Sequence, residues 1–284
     1  DDWKDEKTHI KANPGWCKSV IPDNFRAELR KAINMPSSIP TFKRLYLNIW
    51  TEAGQNWMPW EKWHPLSEEY TEADLLDRPC WVAVDLSKRI DITALTYYFP
   101  DDDGVSFRSI TKFWMPYERA QEREEQDRVK YKEWAQQGHL TLTEGDVVDY
   151  DVVVQEIQRG CKLFKVQEVA LDPWAATQIN TTLDKLDIEH VEFGQGYRSM
   201  SPAMKDLEAL IYQKRYHHPN NPLMNWMMSN VKVKEDEAGN IKPDKKKSTR
   251  RIDGPVSLIM AAGRCHAALG LEQNPYDDRG FIIL

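Results

Sequence analysis

The chain has 284 residues, a formal net charge of −7, and a composition of 41% hydrophobic and 29% charged residues. These values are typical of a globular protein with one large or two ordinary domains, and the negative charge argues against a general nucleic-acid coat. We find no signal peptide and no apolar run near the roughly 18 residues of a membrane span, so we expect neither secretion nor membrane insertion. The four cysteines form no Cys-x-x-Cys pair, which favours a reduced protein without a zinc knuckle. Because the chain begins with Asp1 rather than Met, we expect it to be part of a longer protein.

Residues 1–79 contain no convincing strand pattern. Residues 23–33 and 40–49 have the spacing of short helices, and the segment between them is rich in proline and serine. We therefore interpret residues 1–79 as a helical N-terminal arm and residues 80–284 as a separate folded domain.

Three short strands are predicted where the second region begins. Residues 81–86, 92–99 and 106–114 are rich in β-branched and aromatic side chains, and short polar segments separate them. Such short connections favour an antiparallel meander. A strongly charged segment without glycine or proline follows over residues 117–137, and its pattern predicts one solvent-exposed helix.

The second half of the chain alternates strands with helices. We predict strands over residues 140–142, 166–172 and 190–193, and helices over residues 150–160, 175–186, 202–213 and 254–269. Strand–helix–strand units imply parallel pairing through crossover connections. The sequence therefore predicts an α/β fold with an RNase H-like mixed central sheet, flanked by helices and preceded by the helical arm.

Three aspartates lie at the boundaries of predicted strands and helices. Asp85 and Asp172 end two apolar strands, and Asp253 begins the closing helix. A carboxylate at the end of a buried strand is costly unless it meets a cation or a donor, and neighbouring strand ends face one crevice in an open sheet. Because carboxylate oxygens suit pairs of Mg²⁺ or Mn²⁺ ions in phosphodiester chemistry, we predict that all three aspartates bind metal and act in catalysis. Any one of them alone would more often be a turn or cap residue.

Two further features adjoin this predicted crevice. Asp91 begins the second strand, where it could support the metal ligands or simply start the strand. The basic tract over residues 242–251 directly precedes Asp253 and could hold the phosphate backbone of DNA, although a solvated loop is the alternative. The candidate DNA contacts in this tract are Lys245, Lys246, Lys247, Arg250 and Arg251.

Residues 194–199 read Gly-Gln-Gly-Tyr-Arg-Ser between a predicted strand and a predicted helix. The third glycine of a dinucleotide-binding fingerprint is missing, so we expect either a phosphate contact that includes Arg198 or a structural turn. Residues 230–234 and 239–241 favour a hairpin. The sequence has no Gly-x-x-x-x-Gly-Lys-Ser/Thr motif, and we therefore expect no P-loop ATPase in this chain.

Several of these segments together resemble a known family. They are residues 12–14, 47–50, 84–87, 91–95, 170–173, 195–202, 230–247, 251–254 and 261–262. In this order and spacing, the chain resembles the C-terminal nuclease portion of tailed-phage terminase large subunits of the HK97 type.

The resemblance implies an endonuclease that cuts concatemeric double-stranded viral DNA with two divalent metal ions, Mg²⁺ or Mn²⁺. Asp85, Asp172 and Asp253 match the family's metal-binding acids, and our hypothesis is that Asp85 contacts both ions while the other two each hold one. The resemblance also implies an ATPase domain in the same subunit, a small terminase subunit and a portal as partners, and action in the host cytoplasm.

Two rival interpretations remain open from the residues. The first is another enzyme on the same core, such as a transposase, integrase or junction resolvase. The second is a DNA-docking module in which the three aspartates are structural and no bond is cut.

Overall fold

The computed structural model describes residues 2–34, 38–49, 56–86, 92–245, 248 and 251–271. The chain divides into two compact units, Asp1–Trp57 and Met58–Leu284. In the second unit, Trp63, Leu66 and Leu75 are buried, so part of the predicted arm belongs to the folded core of this unit. The compact unit therefore begins before residue 80, while the role of residues 1–79 as a connection to a further domain stays a prediction.

The first unit is a small helical cluster around aromatic side chains. Its helices are α1 (Glu6–Ala12), α2 (Pro22–Asn34) and α3 (Ile39–Leu47). Phe25 of α2 and Phe42 of α3 are buried and pack edge to face, with ring centroids 5.4 Å apart. This geometry stabilises aromatic pairs beyond the area that they bury. The two predicted helices of this region are confirmed, and α1 is an addition to them.

The second unit combines a sheet, a separate hairpin and several helices. Its described strands are β1 (Pro79–Asp85), β2 (Thr93–Pro100), β3 (Phe107–Pro116), β4 (Thr141–Thr143), β5 (Lys165–Leu171), β6 (His190–Glu192), β7 (Tyr216–His217), β8 (Val233–Glu235) and β9 (Ile241–Pro243). Its described helices are α4 (Trp60–Trp63), α5 (Tyr117–Asp127), α6 (Tyr131–Gln136), α7 (Tyr150–Leu163), α8 (Pro173–Lys185), α9 (Tyr197–Tyr212), α10 (Pro222–Met228) and α11 (Asp253–Ala268). None of the helices in the described part of the chain is both long and apolar enough to cross a membrane.

The sheet is mixed, and β1 lies near its centre. The strand order is β4-β3-β2-β1-β5-β6, with β7 also paired to β3. β1, β2 and β3 form the predicted antiparallel meander. β5 pairs with β1 in parallel, with Val84 opposite Leu171. The next residues, Asp85 and Asp172, therefore lie side by side at the same edge of the sheet. The predicted mixed α/β sheet is confirmed. β8 and β9 pair with each other as the predicted hairpin.

The two faces of β1 pack against different helices. Val84 points into an apolar cluster that includes side chains from α7 and α8. On the opposite face, Thr96 of β2, which pairs with Ala83, shares a hydrogen bond with Ser257 of α11 at 2.7 Å. Because side chains alternate along a strand, Asp85 lies on the face that α11 covers. The fold therefore directs this carboxylate toward α11 and away from the apolar cluster.

The charged segment after β3 folds differently from the prediction. A single helix over residues 117–137 is wrong, because α5 ends at Asp127 and Arg128 adopts the left-handed conformation with φ 57°. Asp127 is buried and accepts a hydrogen bond from the Tyr131 hydroxyl at 2.8 Å. This contact across the turn favours two short helices over one continuous helix. α9 also begins earlier than predicted, at Tyr197, so Pro202 lies inside it.

Candidate functional site

Asp85 is the buried last residue of β1. Its side chain is 3% exposed, and Gln195 donates a hydrogen bond from Nε2 to its Oδ1 at 2.9 Å. Nζ of Lys245 lies 3.5 Å from Oδ1 and 3.4 Å from Oδ2. Burial raises the pKa of Asp85 above its ordinary value, while Lys245 and then Gln195 act in the opposite direction. These two partners therefore favour the ionised carboxylate in a place where burial opposes it.

Asp172 lies directly after β5, beside Asp85. It is the N-cap of α8, and its Oδ1 accepts hydrogen bonds from the backbone N–H groups of Trp174 at 2.8 Å and Ala175 at 2.9 Å. No described residue donates to Oδ2, so this second oxygen is available to a ligand. The charge of Asp172 contributes to the raised pKa of Asp85, which means that the two carboxylates lie within electrostatic reach of each other.

Asp253 is the first residue of α11, and contacts just before it hold the start of the helix. Nε of Arg251 lies 3.3 Å from Oδ2 of Asp127, the same carboxylate that accepts the Tyr131 hydrogen bond. The side-chain amide of Asn230 donates to the backbone oxygen of Arg251 at 3.3 Å. These contacts connect the beginning of α11 to the end of α5 and to the segment after α10, and so they position Asp253.

All three aspartates act on one ammonium group. Burial lowers the pKa of Lys245, but Asp85, Asp253 and Asp172 more than offset this effect, so that its pKa is raised. Three carboxylates from two strand ends and one helix start therefore lie within electrostatic reach of a single cation, and Asp85 contacts it directly.

The chemistry of these donors bears on metal binding. Within the described residues, no three Asp, Glu, His or Cys side chains stand close enough together to hold a metal ion as they are. The carboxylate oxygens around Lys245 nevertheless suit hard divalent ions such as Mg²⁺ or Mn²⁺ rather than soft metals. The residues thus fit such an ion in type, and the ammonium of Lys245 supplies the positive charge among them in this structure.

The structure brings Lys245 to the aspartates but places the other described DNA-contact candidates elsewhere. The side chain of Arg251 is 16% exposed and pairs with Asp127, which favours an anchoring role for it over a DNA contact. Arg198 lines a cleft of about 440 Å³ between α9 and α11, together with Asp206 and Arg264. Asp91, Lys246, Lys247 and Arg250 lie outside the described residues. The DNA-binding roles of all these residues stay predictions.

Sequence reasoning missed Gln195 and Asp127. Gln195 had a usable signal, because it lies between two glycines three residues after the end of β6, where the chain leaves the strand edge that carries the site. Asp127 had none, because it ends a run of charged residues that has the composition of a solvent-exposed helix face.

A model of the family described as "Terminase large subunit, endonuclease domain" matches residues 1–268 of the chain. The chain belongs to this family. It is 33% identical over 271 residues to the terminase large subunit of Enterobacteria phage HK97, in an alignment that covers 95% of this chain and 53% of the relative. It is also 33% identical over 275 residues to Protein YmfN of Escherichia coli (strain K12), with 93% of this chain and 60% of the relative covered.

A solved structure agrees with these sequence matches. The crystal structure of the HK97 bacteriophage large terminase aligns with a TM-score of 0.68 at 33% identity, over 93% of this chain and 55% of that one. The resemblance to terminase large subunits and the RNase H-like mixed α/β fold are thereby confirmed. Membership of the terminase endonuclease-domain family implies a nuclease role. The chain spans between half and two thirds of the length of the relatives named above.

Proposed function

We propose that this terminase-family domain is a metal-dependent DNA endonuclease that cuts concatemeric double-stranded DNA during viral genome packaging. The observation that carries the proposal is the buried Asp85 at the end of β1, held by Gln195 and Lys245, with Asp172 after the neighbouring strand and both Asp172 and Asp253 within electrostatic reach of Lys245. A buried carboxylate such as Asp85, with further carboxylates near it, is unfavourable unless it meets positive charge. A nuclease that uses divalent ions requires this kind of arrangement.

Each aspartate has a distinct part in the proposal. Asp85 would contact two divalent ions, and Asp172 and Asp253 would each hold one of them. Bound Mg²⁺ or Mn²⁺ would supply the Lewis acidity that phosphodiester hydrolysis needs. Gln195 orients the carboxylate of Asp85 through its 2.9 Å hydrogen bond. Lys245 and the basic residues that follow it would steady the DNA backbone.

The partners in the proposal follow from family membership. They are double-stranded viral DNA, an ATPase domain in the same subunit, the small terminase subunit and the portal, and the reaction would take place in the host cytoplasm. Residues 1–79 would connect the nuclease domain to the ATPase domain. Because the net charge of the chain is −7, we expect the isolated chain to bind DNA weakly, with the rest of the motor raising the local DNA concentration.

The first test is cleavage of supercoiled plasmid with Mn²⁺, with Mg²⁺ and with EDTA. Asp172→Asn is the informative variant, because asparagine retains a side-chain oxygen that can cap α8 but removes the charge. Asp184→Asn is a matched control, since Asp184 lies on the same helix with a 69% exposed side chain. We expect metal-dependent cutting by the wild-type protein and by Asp184→Asn, and none by Asp172→Asn, Asp85→Ala or Asp253→Ala.

The same assay separates the rival functions. A docking module would bind the plasmid without metal and leave it intact, whereas a transposase or integrase would join strands. Cutting by a folded Asp172→Asn variant at the wild-type rate would remove Asp172 from the site.

A further inference from the structure

The ammonium group of Lys245 takes up the position of a bound cation. It lies nearly equidistant from both oxygens of Asp85, at 3.5 Å and 3.4 Å. The Asp85 side chain is 3% exposed while that of Lys245 is 51% exposed, so a solvent-accessible side chain brings its charge to a buried carboxylate. Long basic side chains more commonly bury the stem and leave the charged head in water.

Hydrogen bonds hold the backbone at Asp244 and at Ser248, which lie on either side of Lys245 in the chain. The N–H of Asp244 donates to the backbone oxygen of Lys232 at 2.8 Å, and the N–H of Ser248 donates to the oxygen of Asp244 at 2.8 Å. The Ser248 hydroxyl in turn accepts from the N–H of Lys232 at 3.1 Å. The base of the β8–β9 hairpin therefore holds Asp244, directly before Lys245, while the exposed side chain of Lys245 reaches to Asp85.

A divalent ion at Asp85 would meet this ammonium at close range. Both carry positive charge, both are attracted by the same three aspartates, and like charges at such a distance repel strongly in a partly buried site. Close contact of Asp85 with the ammonium and with a divalent ion at the same time is therefore unfavourable, so binding of the ion requires the ammonium to move away.

We propose that Lys245 is a tethered counter-cation that competes with divalent metal ions for Asp85, so that this lysine lowers the metal affinity of the site. The inference rests on the proposed function, because it assumes that divalent ions bind at Asp85. It adds a role that DNA contact does not require. Without metal, Lys245 stabilises the buried charge of Asp85, and metal binding displaces it.

The test measures Mn²⁺ affinity directly, from the electron paramagnetic resonance signal of free Mn²⁺ in titrations of the whole chain without DNA. Lys245→Met removes the charge and keeps a long side chain, so its dissociation constant for Mn²⁺ should fall about tenfold, the order of effect expected for one neighbouring unit charge. Lys245→Arg keeps the charge and should bind Mn²⁺ within about twofold of the wild type. Lys234→Met is the matched control, because Lys234 is exposed on β8 of the same hairpin.

A second readout follows the unfolding of the same variants. Lys245→Met leaves the buried Asp85 without its ammonium partner, so its melting temperature without metal should lie below that of the wild type. Saturating Mn²⁺ should reduce or remove this difference, because the ion replaces the lost charge. Lys245→Gln provides an alternative if the methionine variant does not fold.

The results distinguish the inference from the proposed function. Equal or weaker Mn²⁺ binding by Lys245→Met, with binding that still depends on Asp85, would overturn the inference and leave the nuclease proposal standing. Wild-type Mn²⁺ affinity in Asp85→Asn would overturn both, because the ion would then bind elsewhere.

Discussion

At the scale of single residues, Asp85 depends on the groups around it for its charge. Burial raises its pKa, and an isolated carboxylate in this position would tend to take up a proton. Lys245 provides an opposite charge, and Gln195 provides a hydrogen bond to Oδ1. The charge of Asp85, on which the proposed metal binding rests, therefore depends on two residues that lie more than a hundred positions away in the chain.

We predict that Gln195→Ala reduces the rate of DNA cutting by about 10- to 100-fold, the range typical when a hydrogen-bond partner of a metal ligand is removed. The physical reason is that Asp85 loses the donor that orients its Oδ1. The measurement is the initial rate of plasmid cleavage as a function of Mn²⁺ concentration. Gln167→Ala is the control, because this glutamine on β5 is exposed and its amide donates to the nearby Lys165 backbone oxygen. Equal rates for Gln195→Ala and the control would show that Gln195 has no part in the site.

The positions of Asp85 and Asp172 could be predicted because the ends of strands are recognisable in the sequence. Asp85 and Asp172 each follow an apolar run, and parallel neighbours bring such ends to one edge of a sheet. The position of Lys245 could not be predicted in the same way. Its basic neighbours indicate DNA contact, whereas its approach to Asp85 depends on how the β8–β9 hairpin packs.

At the scale of elements, the start of α11 determines where Asp253 lies. The helix packs across β1 and β2, and Asp127 at the end of α5 holds Arg251 just before its first turn. Asp127 is 6% exposed, so its charge is compensated within the protein by Arg251 and the Tyr131 hydroxyl. A buried pair of this kind becomes costly when one partner is changed.

We predict that Asp127→Asn lowers the free energy of unfolding by about 1–3 kcal/mol, because Arg251 and the Tyr131 hydroxyl lose a charged acceptor. Cutting should fall as well, since the segment that positions Asp253 loses its attachment. Chemical denaturation measures the first effect and plasmid cleavage the second. Asp146→Asn is the control, because Asp146 is 67% exposed and pairs only loosely with Arg119, at 3.4 Å. Unchanged stability and cutting in Asp127→Asn would contradict this account of α11.

Elements with a clear hydrophobic period were predicted well, and local exceptions were not. The meander, β5 and α11 all have apolar patterns that determine their type. The break between α5 and α6 depends on the left-handed Arg128 and on a hydrogen bond between buried side chains, neither of which has a periodic signal. The boundary of the second unit was also missed, because Trp63 and Leu75 occur in a segment whose pattern is too short to indicate burial in a core.

At the scale of the whole molecule, α11 joins the core to the site. Asp253 lies at its start, while His266 in its last turn is 2% exposed and shares a hydrogen bond of 3.1 Å between its Nε2 and the Tyr98 hydroxyl. Burial lowers the pKa of His266 to about 4 from its ordinary value of 6.5. Protonation of this histidine is therefore unfavourable in the folded protein.

We predict that this histidine makes the folded protein less stable as the pH falls below about 6.5. Because the pKa of His266 is lower in the folded protein than in the unfolded chain, its protonation costs no free energy of folding above about pH 6.5. This cost grows as the pH falls toward the folded-state pKa of about 4. At pH 5 the free energy of unfolding is lower by about 2 kcal/mol for this reason. Denaturation at pH 7.5 and pH 5 measures it, with His266→Gln as the comparison because glutamine does not titrate. The difference between the two pH values should be smaller in His266→Gln by about that amount, and an equal difference in both proteins would contradict the prediction.

The most direct measurement is an anomalous diffraction map from crystals of this chain grown with Mn²⁺. The account predicts Mn²⁺ peaks beside Asp85, Asp172 and Asp253, at the roughly 2.1 Å that small divalent ions keep from carboxylate oxygens. It also predicts that the ammonium of Lys245 has moved away from Asp85. Mn²⁺ that supports DNA cutting but leaves no peak at these aspartates, with Lys245 still against Asp85, would contradict the central claim.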